Sequence, residues 1–224
     1  MLTRDWLQQA DYRTAFGQID EALLWSDAQR EASLRHTLAA RPDRSPVWLF
    51  GYGSLMWNPL FEAEEVAPAT LEGWHRAFCL RLTAGRGTPD SPGRMLALRD
   101  GGRTHGLAFR LPEATLLAEL RLLWKREMII GCYVPTWCAL TLKSGQQVTA
   151  LAFVMDPTHP LYEQDVTPQA VAPLIARASG PLGSNAQYLF ALEQELVRRG
   201  IDDGSLRELV ERVRILHAPP ANRG

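Results

Sequence analysis

Cysteine is scarce in this chain: only Cys79, Cys132 and Cys138 occur among 224 residues. The number is odd and no CxxC pair is present, so neither a disulfide framework nor a zinc knuckle is written here. Net charge is nearly absent too, because 24 Lys and Arg balance 25 Asp and Glu. A chain without a basic excess is not built for a polyanion, and no nucleic-acid partner is expected. Long apolar runs are missing. None approaches the roughly 18 residues that read as a membrane span. The opening MLTRDWLQQADYR is broken by charges where a signal peptide carries its apolar core. These absences together predict a cytoplasmic protein away from the membrane. The five histidines, His36, His75, His105, His159 and His217, lack metal-ligand spacing, and neither HExxH nor GxSxG occurs. No metal and no cofactor is expected.

What is present is an ordinary globular composition, 46% hydrophobic and 22% charged. That is enough to bury a sizeable core and too apolar for a disordered chain. Residues 1–46 read as a helical arm and linker. Ser26-Asp27 can cap a helix running through Leu38, and the segment Arg41–Pro46 contains two prolines. From Val47 the texture turns to strands, over Val47–Phe50, Leu71–Leu82 and Met95–Leu98. Asp100-Gly101-Gly102 carries hairpin-turn chemistry, with His105–Leu111 as the returning strand. Tyr133–Leu142 and Val148–Met155 read as a hairpin around Ser144-Gly145. Helices follow from Thr167-Pro168, from Ser184 with Gln187, and from Ser205 with Glu208, the last two with capping-box spacing. Strands first and helices mostly after them predict an α+β fold. The expected organisation is an arm over 1–46, a main domain over 47–217 and a short tail over 218–224.

Four places can carry chemistry. Phe50-Gly51-Tyr52-Gly53-Ser54-Leu55 puts two glycines around an aromatic directly after a buried strand. Such a turn can offer backbone N–H groups to a carboxylate; it can equally be a tight connection with a packed tyrosine. Glu127 lies eleven positions past Leu116, within about 20° of the stripe marked by Leu116, Leu120 and Leu123. If the helix reaches that far, a carboxylate sits on the core-facing side and its pKa is raised. If the helix stops short, it is a surface acid. Arg86 and Arg94 bracket a Pro/Gly-rich loop, and an arginine there can meet a carboxylate or simply flank a solvated turn. Tyr188 falls in the first turn of the helix after Ser184, where it can present its hydroxyl to a site or pack in the core.

Several segments together resemble one family. They are Val47–Pro59 (VWLFGYGSLMWNP), Arg86–Pro89 with Pro92–Arg94, Trp124–Met128 with Gly131–Pro135, and Gly180–Asn185 with Tyr188-Leu189. In order and spacing they are similar to the ChaC proteins, the glutathione-specific γ-glutamylcyclotransferases, over roughly residues 45–217. The arm is only loosely matched. The resemblance implies a compact mixed β-barrel flanked by helices. It implies cleavage of glutathione to 5-oxoproline and cysteinylglycine, with Glu127 as catalytic acid/base. Leu49, Phe50, Gly51, Tyr52, Gly53, Ser54 and Leu55 would hold the γ-glutamyl group. Arg94 and Tyr188 are the candidates for the cysteinylglycine end.

The chemistry suits a chain without a nucleophile motif, because the substrate's own α-amine attacks its γ-carbonyl. The protein need only supply a base and hold the chain folded toward ring closure. Glutathione is therefore the expected partner, and a single chain is favoured as the unit. Two other readings stand beside this one. The first is a non-catalytic γ-glutamyl-ligand-binding regulator of ion transport; the second is a cyclotransferase for other γ-glutamyl amines.

Overall fold

A computed structural model describes residues 2–217; the expected tail over 218–224 lies outside them. The α+β expectation holds. Five strands, β1 (Trp48–Gly51), β2 (Glu65–Leu82), β3 (Gly93–Arg110), β4 (Tyr133–Leu142) and β5 (Gln147–Met155), close into a barrel in the order β1-β3-β2-β4-β5. Closure comes from parallel pairing of β1 with β5, Trp48 opposite Ala150 and Leu49 opposite Leu151. Closing the sheet removes the edge that an open sheet leaves unpaired. Leu49, Phe50, Leu98, Ala108 and Leu140, on its strands, are fully buried.

The expected hairpin at Asp100–Gly102 is not a hairpin. β2 and β3 each run 18 residues and pair along most of their length, joined by the loop over 83–92. Gly101 and Gly102 have φ of +93° and +76°, and across the ladder Gly73 has +81°. Glycine chemistry that suits a turn here permits a bulge that bends a long ribbon.

Helix α3 (Leu116–Glu127) crosses one end of the barrel between β3 and β4, with Leu120, Leu123 and Trp124 buried against it. Helices α4 (Pro168–Arg177), α5 (Asn185–Arg198) and α6 (Gly204–His217) follow the barrel in sequence and pack on one another. Ser184 and Gln187 make the predicted capping box of α5. At α6 the cap is Asp203, whose carboxylate accepts from the Leu206 N–H at 3.1 Å, rather than Ser205.

The arm contains α1 (Arg4–Gln8) and α2 (Asp27–Ala39), joined by two short 3-10 turns, Tyr12–Phe16 and Glu21–Leu23. Ser26 and Gln29 form the cap of α2. The arm is laid against the barrel rather than projecting from it. Leu7 and Tyr12 form a second apolar cluster with Leu122 and Ile129. Trp137 Nε1 donates to Thr37 O at 2.8 Å, and Trp124 Nε1 to Ser33 Oγ at 3.2 Å. Among the described residues no helix is long and apolar enough to cross a membrane.

Candidate active site

The turn after β1 is held from several sides. β1 delivers Gly51 into Tyr52-Gly53, and a 3-10 turn starts at Ser54. Tyr52 Oη donates to Phe153 O at 2.8 Å, and Tyr52 O accepts from Arg76 Nε at 2.7 Å. A Cβ at position 53 would meet Tyr188 Oη at 2.9 Å and Leu96 Cδ2 at 3.2 Å, so the backbone here needs glycine. The first N–H groups of a helical turn have no acceptor within it, and so are available to a ligand.

Beneath the turn is a cavity of about 220 Å³, lined by Tyr52, Gly53, Ser54, Leu55, Glu127 and Tyr188 among others. α3 extends far enough to make Glu127 its last residue. The Glu127 side chain keeps 17% of its surface exposed. Its neighbour Arg126 places Nε 2.9 Å from Glu127 Oε1, but the geometry is not that of a hydrogen bond, and Oε1 accepts none. Arg126 instead donates to Ser54 Oγ at 2.8 Å and to the carbonyls of Asn58 and Pro59. Burial pushes the Glu127 carboxyl above the usual carboxylate range, and the Arg126 charge only partly opposes this. The result is a carboxylate that takes up a proton more readily than a solvated one.

Three phenols surround it. Burial, reinforced by the nearby Glu127 charge, raises Tyr52 far above its ordinary value and Tyr188 to about 12. Tyr133 Oη donates to Leu96 O at 3.3 Å and is raised likewise by burial. All three stay neutral donors. Cys132 also lines the cavity, and burial moves its thiol upward, away from the thiolate. Among the described residues no group of three His, Cys, Asp or Glu side chains can hold a metal ion.

Not every expected residue reaches the cavity. Leu49, Phe50 and Gly51 are sealed in the barrel and carry the turn without facing the space. Arg94 is a correction. It sits at the start of β3, its Nη2 3.2 Å from Glu163, and its backbone exchanges hydrogen bonds with Asn185. The cavity wall is formed by the next two residues, Met95 and Leu96. The loop arginine that does line the cavity is Arg86. Its Nη1 donates to Ser184 O at 3.0 Å, its guanidinium lies over the Tyr188 ring, and it is paired with no carboxylate among the described residues. The sequence singled out both arginines but had no means of telling which points inward.

Also missed were residues of the arm. Leu2, Phe16, Ile19 and Leu23 line the same cavity. Nothing local in the sequence says against what these apolar residues pack.

Comparison with known proteins bears on this arrangement. The model of the family described as ChaC-like protein matches residues 47–216. A glutathione-specific γ-glutamylcyclotransferase of Escherichia coli (strain K12) is 65% identical over 218 residues, 97% of this chain and 94% of that protein. The human glutathione-specific γ-glutamylcyclotransferase 1 is 31% identical over 154 residues, 67% of this chain and 69% of its own. A crystal structure of a yeast γ-glutamyl cyclotransferase specific to glutathione superposes with a TM-score of 0.70 at 24% identity. It covers 77% of this chain and 97% of the yeast chain, and so supports the barrel fold. On the family match and the extent of the bacterial likeness, this chain belongs to the ChaC-like family.

Proposed function

We propose that the protein is a glutathione-specific γ-glutamylcyclotransferase, releasing 5-oxoproline and cysteinylglycine, with Glu127 as its acid/base. The observation that carries this reading is the Glu127 carboxylate, largely enclosed, accepting no hydrogen bond at Oε1 and lining a cavity under a glycine turn. The bacterial relative, matched over nearly its whole length, bears that name and supports the substrate.

The reaction needs little from the protein. The γ-glutamyl α-ammonium gives a proton to Glu127, and the freed amine attacks its own γ-carbonyl carbon. A C–N bond closes the five-membered ring. The tetrahedral centre then collapses, the bond to the cysteinyl nitrogen breaks as Glu127 gives its proton to that nitrogen, and the surplus proton of the ring nitrogen passes through the regenerated Glu127 carboxylate to the departing amine, which leaves as an ammonium. One carboxyl thus acts as base and then as acid, a role that a raised pKa serves better than an ordinary one. The N–H groups at Gly53–Leu55 fix the α-carboxylate and so hold the glutamyl chain in the folded conformer. The neutral phenols of Tyr52 and Tyr188 border the reacting centre without adding charge. Arg86, which lines the cavity and is paired with no carboxylate among the described residues, receives the second substrate carboxylate at the glycine end.

A single chain is the proposed working unit. The three thiols are all free, which supports a cytoplasmic setting. The assignment is tested by 5-oxoproline release from reduced glutathione by the purified protein. Turnover at enzyme-like rates is expected; no release from any γ-glutamyl compound would overturn it.

A further inference from the structure

The cavity has two kinds of wall. Its polar groups, among them Tyr52, Ser54, Arg86, Arg126, Glu127 and Tyr188, all come from the barrel, its loops and its helices. The arm adds only apolar side chains, Leu2, Phe16, Ile19 and Leu23. The family match begins at residue 47, so this second wall lies outside what the family as a whole shares.

The arm is fixed across the cavity at three points. Near its start, Arg4 grips Glu119 through two hydrogen bonds of 2.6 and 2.7 Å, and Asn58 Nδ2 donates to Leu2 O at 3.1 Å. In the middle, Phe16 O accepts from the Gly85 N–H at 2.6 Å, in the loop that also carries Arg86. At the far end, the Trp25 N–H donates to Ile129 O at 3.0 Å, two residues past Glu127. The Trp25 indole occupies the space a side chain at Gly131 would need. Between these points the chain has only two 3-10 turns, and Phe16, Ile19 and Leu23 are half-buried.

We propose that the Phe16–Leu23 segment forms the leaving-group wall of this cavity, with Phe16 and Leu23 as specificity-determining residues. The inference rests on the cyclotransferase reading. The γ-glutamyl head carries an ammonium and a carboxylate, and only the barrel side offers partners for them. The part of the substrate beyond the scissile bond includes a cysteinyl side chain, whose methylene and thiol are soft and weakly polar and suit an apolar surface. The arm therefore reads the leaving group while the barrel performs the chemistry.

The test compares two substrates with the same head: reduced glutathione and γ-glutamyl-methylamide, whose leaving group is methylamine alone. In Phe16→Ala and Leu23→Ala the kcat/KM for glutathione should fall about tenfold, mainly through KM, as expected for losing a buried apolar contact. The methylamide value should fall by no more than about twofold, and Phe16→Leu should restore most of the glutathione value. Equal losses on both substrates, or none on glutathione, would overturn the inference. If the wild type releases no 5-oxoproline, the cyclotransferase reading fails by itself. The arm is then judged by calorimetric binding of the two compounds to wild type and Phe16→Ala, where an unchanged affinity ratio rejects it.

Discussion

Helix α3 carries two buried glutamates, and the molecule treats them in opposite ways. Glu119 is 1% exposed, yet its carboxylate accepts two bonds from Arg4 and a third from the Glu62 N–H at 3.1 Å. Those bonds hold it below the ordinary carboxylate range, the Arg4 hydrogen bond contributing most. Glu127, at the end of the same helix, is less enclosed but has one oxygen without a hydrogen bond, and burial drives it upward. Burial alone therefore does not set the direction of the shift; the supply of donors does. The acid supplied with donors fastens the arm, and the acid without a hydrogen bond at Oε1 lines the cavity.

The sharpest way to break this contrast is to exchange each carboxyl for its amide. Glu127→Gln should lower kcat by about 10²–10⁴-fold, the range of a lost general acid/base, read as 5-oxoproline release. Glu119→Gln should leave kcat within a few-fold of wild type. A large kcat loss from Glu119→Gln would show that the helix, not the individual acid, governs the chemistry.

Arg86→Ala comes next in size. It should raise KM for glutathione by about 10–100-fold, the scale of a charge-assisted hydrogen bond, with a smaller change in kcat. Arg94→Ala should leave KM nearly unchanged, since Arg94 already has Glu163.

On stability the two acids should again diverge. Glu119→Gln should cost about 1–3 kcal/mol in denaturant titrations, the penalty for weakening bonds at a buried site, reduced because Arg4 is one-third exposed. Because the native pKa of Glu119 is lowered, its contribution is fully present above the ordinary carboxylate range and disappears as pH falls through the native value. Glu127 has the reverse sign. Its raised native pKa means that folding with the carboxylate ionised is unfavourable above that value, and the penalty vanishes below the ordinary range. Glu127→Gln should therefore melt higher than wild type at neutral pH and show no gain near pH 4. In the wild type, kcat/KM should rise with pH as Glu127 loses its proton.

How far the sequence disclosed this arrangement depends on how local each signal is. Glu127 was legible because helical periodicity carries a face eleven residues onward, and α3 does continue to it. The turn after β1 was legible because two glycines around Tyr52 and Ser54 constrain their own backbone. Arg94 and Arg86 could not be separated, because side-chain direction after an irregular loop is decided by where Glu163 and Ser184 lie, far away in the chain. The bulge at Gly101-Gly102 read as a turn because positive φ serves both, and only the partner strand distinguishes them. The arm's role was hidden for a related reason. Its apolar residues are spread over short 3-10 turns without a period, and their meaning lies in Gly85 and Gly131 on the far side of the cavity.

The cavity thiol has one last consequence. Cys132 borders the space proposed for a thiol substrate, and burial holds it, like Cys79 at about 11 and Cys138 at about 12, in the protonated form. Mixed disulfides form by attack of a thiolate, which these sulfurs rarely become at neutral pH. Exchange with a disulfide that enters the cavity should therefore be slow at all three cysteines.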